Sequence, residues 1–304
     1  MDLKQLKYFM HVAELGSFTQ ASLALNIAQP ALSRQVRRLE VELHQCLLER
    51  NGRGVTTTQA GKRLLEHCRG ITRQIERARE DLGRMRGGGA GRVVLGMPPS
   101  ASRMLTVPLT RQCRKLLPDA TLSITESLSH VLEQWLLAGQ LDIALLYDPP
   151  PAANLELSPL TRQLLYLVGL RGGNETDPDV PLRTLADFPL VIPNRPHTVR
   201  TLLETRMALA GCRPNIRLEI DGVSAILDLV ADGAGYAVLT EHAVRTSAHP
   251  ELYQIRRIIQ PELPSRLYLA TSAERITTLS QTTMIGLIRG VVRDLYPTSM
   301  TQAD

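Results

Sequence analysis

Gln29, Ser33, Arg34, Arg37 and Arg38 carry hydrogen-bonding or cationic heads at spacings that share one helical face. Such groups can meet the base edges and phosphates of duplex DNA. Pro30 suits the first turn of that helix, where a missing N–H costs nothing and φ is already helical. The elements needed to aim this face are legible around it. Residues 16–44 read as a helix, a tight turn and a second helix. Phe18, Ala21, Leu25, Ile27, Leu32, Val36 and Leu39 recur at spacings that bury one side of two crossed helices. That arrangement sets a helix end into the major groove. The competing reading is an ordinary helical hairpin with a solvated arginine face. Residues 47–58, LLERNGRGVTTT, weigh against it, because they read as two short strands around Asn51-Gly52. Arg50 and Arg53 flank the tip, forming a basic wing placed for phosphates or the minor groove.

Charge is polarised in the same sense. Residues 1–91 hold 15 Lys+Arg and 9 Asp+Glu, whereas 92–304 hold 20 and 21. The whole excess of +5 therefore belongs to the first segment, as phosphate contact requires. Residues 58–86 continue as one long helix. Leu64, Cys68, Ile71, Ile75, Ala78, Leu82 and Met85 alternate in steps of four and three, a narrow seam suited to pairing with another helix. Arg69, Arg73, Glu76, Arg77, Arg79 and Glu80 load its outer faces. The alternative is packing against the chain's own second domain. GGGAG at 87–91 then breaks the helix and reads as a hinge.

Three stretches, LKYFMHVAELGSFTQAS, LNIAQPALSRQVRRLE and LLERNGRGVTTTQAGKRLL, resemble the DNA-binding region of the LysR-type transcriptional regulators. The similarity runs continuously over residues 1 to about 86. It departs at Ala28, where many members carry a serine that caps the recognition helix. The resemblance implies a winged helix-turn-helix over 1–58 and a dimerising linker helix over 59–86. The linker would pair two chains through Leu64, Ile71, Ile75 and Leu82. It further implies a homodimer, assembled as a dimer of dimers, acting at a promoter with RNA polymerase as a further partner. Gln29, Pro30, Ser33 and Arg34 would read bases, and Arg37, Arg50 and Arg53 would meet phosphates or the minor groove.

Beyond 91 the texture changes to alternating strands and helices, which predicts parallel sheets covered on both faces. The expected strands are 92–97, 121–127, 142–147, 164–170, 189–194, 216–221, 236–239 and 266–271. Looser similarity, carried by GQLDIALLY and DLVADGAGYAVL, implies the LysR-type effector domain over 92–304. That domain is α/β and periplasmic-binding-protein-like, with lobes at 92–162 plus 266–304 and at 163–265. Ligands of open α/β sheets sit beyond the strand carboxyl ends, where helix N-termini point. Three such corners carry polar groups: Pro99-Ser100-Ala101-Ser102, Ser127-Leu128-Ser129 and Pro196-His197-Thr198. Their free N–H groups favour a small organic anion, with Arg103, Arg195 and Arg200 in support. The resemblance maps effector contacts onto Ser100, Ser102, Ser129 and Thr198. His197 has two readings, ligand contact or helix cap, and a serine or threonine at a helix start is often only a cap.

Catalysis has no foothold here. GxSxG, GxGxxG, P-loop and HExxH patterns are missing from the sequence, and His130 and His197 have no readable partner. Cys46, Cys68, Cys113 and Cys212 are scattered without a CxxC or Cys/His pattern, so neither a metal nor a bound cofactor is expected. A thiol sensor would need two such sulfurs to meet, and Cys113 and Cys212 fall in different lobes. No apolar run approaches membrane-spanning length and no apolar leader opens the chain, so a cytoplasmic protein without a membrane is expected.

Overall fold

A computed structural model describes residues 1–52, 54–84, 91–172 and 178–296. Arg53, the Arg50 side chain, Met85 and residues 87–90 of the expected hinge lie outside the described residues.

Three helices open the chain: α1 (Leu3–Leu15), α2 (Phe18–Ala24) and α3 (Gln29–Leu43). Asp2 accepts from Gln5 N at 2.8 Å while Gln5 Oε1 accepts from Asp2 N at 2.9 Å, a reciprocal cap for α1. Phe18, Ala21, Leu32, Val36 and Leu39 are buried with Phe9 and Val12 of α1, and Leu25 and Ile27 pack half-buried against them. Helix α3 opens one residue before Pro30, which is therefore its second residue rather than its first. Its N-cap, Ala28, has no side-chain acceptor, so the first turn goes uncapped. Ala28→Ser is expected to stabilise this unit by about 1 kcal/mol. The measurement is the denaturation midpoint; no change would mean that the turn is satisfied in another way.

Strands β1 (Leu48–Asn51) and β2 (Gly54–Thr57) form the wing. Their ladder closes at Asn51 with Gly54, so Asn51 ends a strand and does not sit in the turn itself. Gly54 has φ +141, and a Cβ there would come within 2.7 Å of Gly16 O. The close approach matters, since the Val55 N–H donates to that same carbonyl at 2.8 Å. Glu40 on α3 accepts from Leu47 N (2.9 Å) and Leu48 N (3.2 Å), which fixes the wing against the recognition helix.

Helix α4 (Gln59–Arg84) serves three surfaces. Leu64 and Cys68 pack into the N-terminal core, so the seam does not begin as a free face. Ile71 and Leu82 are 38% and 64% exposed, and Ile75 is half-buried. Arg73 and Arg77 correct the sequence reading. Expected on outer faces, they are 6% and 7% exposed and converge on Asp142 of the second domain, whose side chain is fully buried. Gly70 lies beside them, and a Cβ there would stand 1.9 Å from the Ala138 carbonyl oxygen. A residue with a side chain would hold the two elements apart.

The second domain begins with β3 (Arg92–Met97), α5 (Pro99–Leu116), β4 (Thr121–Glu126), α6 (Ser129–Leu137) and β5 (Ile143–Tyr147). Then follow β6 (Leu155–Leu170), β7 (Asp179–Pro181), β8 (Leu190–Ile192), α7 (Thr198–Leu209), β9 (Ile216–Glu219) and α8 (Val223–Ala231). The chain closes through β10 (Ala237–Thr240), α9 (Glu241–Arg245), β11 (Tyr253–Ile259), β12 (Pro264–Ser272) and α10 (Leu279–Leu295). In the first lobe, α5 and α10 pack on one face of the sheet through Leu105, Leu109 and Ile288. Leu132 and Leu136 of α6 cover the other face. The second lobe has its own cores, one around Leu185, Leu203 and Met207 and one around Ile226 and Val230.

Strands β3, β4 and β5 pair in parallel, as do β8 and β9. The expectation of wholly parallel sheets fails at β6, which runs antiparallel to β12, β10 and β11. Leu155–Leu164 of β6 pair with β12, and Leu165–Leu170 pair with strands of the second lobe. A chain that leaves a lobe and returns beside its own exit must run antiparallel to itself. The crossing pair is also why β6 starts far earlier than its apolar run at 164–170 suggests.

Candidate functional site

Two surfaces carry the candidate chemistry. On α3, Gln29, Pro30, Arg34, Arg37 and Arg38 are exposed and Ser33 is half-buried. Leu32, Val36 and Leu39 lock the opposite side of the helix into the core, which leaves this polar face to solvent. Arg50 stands in β1, opposite Val55, on the same unit.

The second surface is a cleft between the lobes, with two connected chambers of 180 and 480 Å³. Pro99, Ser100, Tyr147, Gly222, Val223, Thr240 and Ala243 line both. Helices α5, α6, α7 and α8 all open onto the smaller chamber. Three of them, α5, α6 and α8, have no side-chain cap. Their first N–H groups therefore remain available, and the partial positive charge there comes from backbone rather than from any lysine or arginine.

The anticipated residues fall unevenly. Ser100 lines both chambers, its Oγ donating to Tyr147 Oη at 3.3 Å. Ser129 lines the smaller chamber while accepting from Tyr147 N at 3.0 Å. Thr198 lies at the first turn of α7 in that chamber. Ser102 lines the larger one, with its hydroxyl donated to Glu126 Oε1 at 2.5 Å, and Arg103 stands exposed on the same wall. Arg195 and Arg200 line neither chamber. Arg200 is buried against Glu204, Glu219 and the Pro193 carbonyl, and Arg195 pairs with Glu204. Helix α8 was not among the three anticipated corners. Its signal was Asp221-Gly222 between a strand and a helix, a corner without a serine or threonine at the cap.

His197 combines both of its readings. Its Nδ1 accepts from Val199 N at 3.2 Å, capping α7, and its ring lines the smaller chamber. Burial holds its pKa below the ordinary 6.5, only partly opposed by Asp221. The unfolded chain therefore protonates first on acidification. This contribution to stability is complete above about pH 6.5 and is lost as pH falls through the lower folded value. The acid loss should shrink in His197→Asn, which keeps a cap acceptor without a titrating ring. Identical pH–stability curves for the two proteins would remove His197 from this account.

A winged helix-turn-helix joined by a long helix to a two-lobed α/β domain with an interlobe cleft defines a DNA-binding regulator that carries its own effector-binding domain. Residues 3–62 match the model of the bacterial regulatory helix-turn-helix proteins of the LysR family. Residues 86–293 match the LysR substrate binding domain, and the chain belongs to the LysR family of transcriptional regulators. It is 38% identical over 276 residues to the nitrogen assimilation regulatory protein nac of Klebsiella aerogenes, covering 90% of this chain and 89% of that relative. Full-length OxyR from Pseudomonas aeruginosa has the same fold, with a TM-score of 0.72, 22% identity and coverage of 100% and 99%. CbnR, a LysR family transcriptional regulator, gives 0.71 at 24% identity with coverage of 96% and 99%. These relatives and domains are those of regulators, not enzymes. Among the described residues, no helix is long and apolar enough to cross a membrane, and no His/Cys/Asp/Glu group could hold a metal ion.

Proposed function

We propose that the chain regulates promoters in response to a small organic anion bound between its lobes. The observation that carries this reading is the convergence of three uncapped helix N-termini, from both lobes, on one small chamber. An anion there interacts with both lobes at once and so favours one relative arrangement of them. Ser100, Ser129, Thr198 and His197 surround it, with Ser102 and Arg103 in the adjoining chamber. In this reading the chain divides into a DNA-binding unit at 1–58, a linker helix at 59–86, a hinge at 87–91 of which 87–90 lie outside the described residues, and lobes at 92–162 plus 266–304 and at 163–265.

Gln29, Pro30, Ser33 and Arg34 read bases, and Arg37, Arg50 and Arg53 hold phosphates or the minor groove. Two α4 helices pair through the exposed Ile71 and Leu82 with Ile75 between, while Leu64 steadies the base of the helix from inside its own core. A dimer of dimers acting in the cytoplasm, with RNA polymerase as a further partner, completes the reading. Thiol sensing has less support. Burial pushes the Cys68 thiol up to about 11 and raises Cys113, while Cys212 donates to the Met207 carbonyl at 3.3 Å. The raised Cys68 and Cys113 thiols are slow nucleophiles.

The test is thermal melting of the full chain against aromatic acids, dicarboxylates, amino acids and sulfur or nitrogen metabolites. An anion at a hundred times its dissociation constant should add about 2.7 kcal/mol. The added stability should vanish in Ser100→Ala. A folded chain that no anion stabilises would overturn the reading.

A further inference from the structure

The larger chamber is lined by side-chain nitrogens that the anion site does not use. Gln163 stands on β6 opposite Ser265 of β12, where both strands pass between the lobes. Its side chain is nine-tenths buried, and its Nε2 finds no hydrogen-bond partner among the described residues. His242, in the first turn of α9, presents a second buried nitrogen without a partner, Nε2. Both side chains line the 480 Å³ chamber. Buried polar atoms in native proteins are nearly always satisfied, so two unpartnered nitrogens in side chains that line one chamber point to a group that enters it.

Charge selects the kind of group. Arg103 and Glu126 both line the chamber, and Glu126 already accepts the Ser102 hydroxyl. A second carboxylate would lie against Glu126. A carbonyl offers the same lone pairs without the repulsion. Burial and the nearby Arg103 hold the His242 imidazole below its ordinary range, which keeps it neutral and suits an uncharged guest.

We propose that the effector is an organic acid with a second, uncharged carbonyl-type acceptor, its carboxylate at the helix N-termini and its carbonyl bound by Gln163 Nε2 with His242 alongside. The proposal rests on the reading of the cleft as an effector site. A guest held at Gln163 touches the crossing strand itself, so occupancy acts directly on the element that joins the lobes.

The experiment measures binding of matched acids to the full chain: pentanoate against 4-oxopentanoate, hexanoate against 5-oxohexanoate, and adipate as the dianion. Each oxo acid should bind at least tenfold more tightly than its plain partner. That advantage should disappear in both Gln163→Leu and Gln163→Glu. Unliganded Gln163→Leu should melt no lower than the parent, since it removes an unmet donor. Equal binding of oxo and plain acids, or an advantage that survives both substitutions, would overturn the inference and leave the anion site standing. Adipate binding more tightly than 5-oxohexanoate would overturn the uncharged acceptor. No binding by any of the five acids would overturn the underlying anion site as well.

Discussion

Asp142→Ala is expected to destabilise the full chain by about 3–5 kcal/mol, the range for removing one partner of a buried ion pair. Asp142 Oδ2 accepts from Arg73 Nη2 at 2.7 Å and from Val94 N at 2.7 Å. Its Oδ1 accepts from Arg77 Nε at 2.5 Å and from Gln281 Nε2 at 2.8 Å. Arg77 also donates to the carbonyls of Gly139 and Leu141, and Arg73 to that of Arg92. Removing the carboxylate leaves Arg77 buried with neutral acceptors, the Gly139 and Leu141 carbonyls and Gln74 Oε1, and leaves Arg73 with the longer ion-pair contact to the half-exposed Glu76. The whole contact joins α4 to the first lobe, so it ties the helix that carries the DNA-binding unit to the domain that binds the effector. The size of the loss comes from stranded charge rather than from the net worth of the pair. Replacing Asp142, Arg73 and Arg77 together with apolar residues should therefore lose much less. Denaturant unfolding of the single and triple variants separates the two effects. A loss below 1 kcal/mol in Asp142→Ala would show that water enters the joint. Gly70→Leu should weaken the same joint by a different route, by pressing on the Ala138 carbonyl.

The second large effect is expected at the DNA surface. Arg34→Ala should weaken binding to duplexes selected from a randomised pool by about 1–3 kcal/mol, the range for one good base contact. Binding to random duplex should change far less. Arg53→Ala should behave in the opposite way, weakening every duplex alike and reducing the salt slope by about one. The measurement is a salt titration of each variant on selected and random DNA. If the two variants have the same effect on both, α3 does not read bases through Arg34.

The N-terminal unit was legible because its information is local. The apolar spacing of Phe18, Ala21, Leu32, Val36 and Leu39 is a property of helices, and each of these residues is buried in the core. The missing cap at Ala28 could likewise be read directly from the chain. Alternation of strands and helices also indicated an α/β domain, and its two lobes were implied by the resemblance to the LysR-type effector domain. The direction of pairing was less accessible: β6 carries polar residues through its first half, where periodicity gave no sign of a strand that spans both lobes. Arg200 illustrates the same limit. Its position near a helix start suggested an anion contact, yet Glu204 one turn along the same helix, the Pro193 carbonyl and the more distant Glu219 hold it away from the cleft.

What the sequence alone determined was which faces of the N-terminal helices are apolar, that strands and helices alternate beyond residue 91, and that basic charge is concentrated in the first 91 residues. These depend on residue type and short spacing, which any stretch of chain carries with it. What only the tertiary structure decided was the use of Arg73 and Arg77 as an interdomain joint, the fourth helix end at Gly222, and the unpartnered side-chain nitrogens of Gln163 and His242. Each depends on groups tens of residues apart arriving within hydrogen-bond reach, or failing to find a partner once buried. Burial and long-range partnership are properties of the packed chain, and no local pattern in the sequence encodes them.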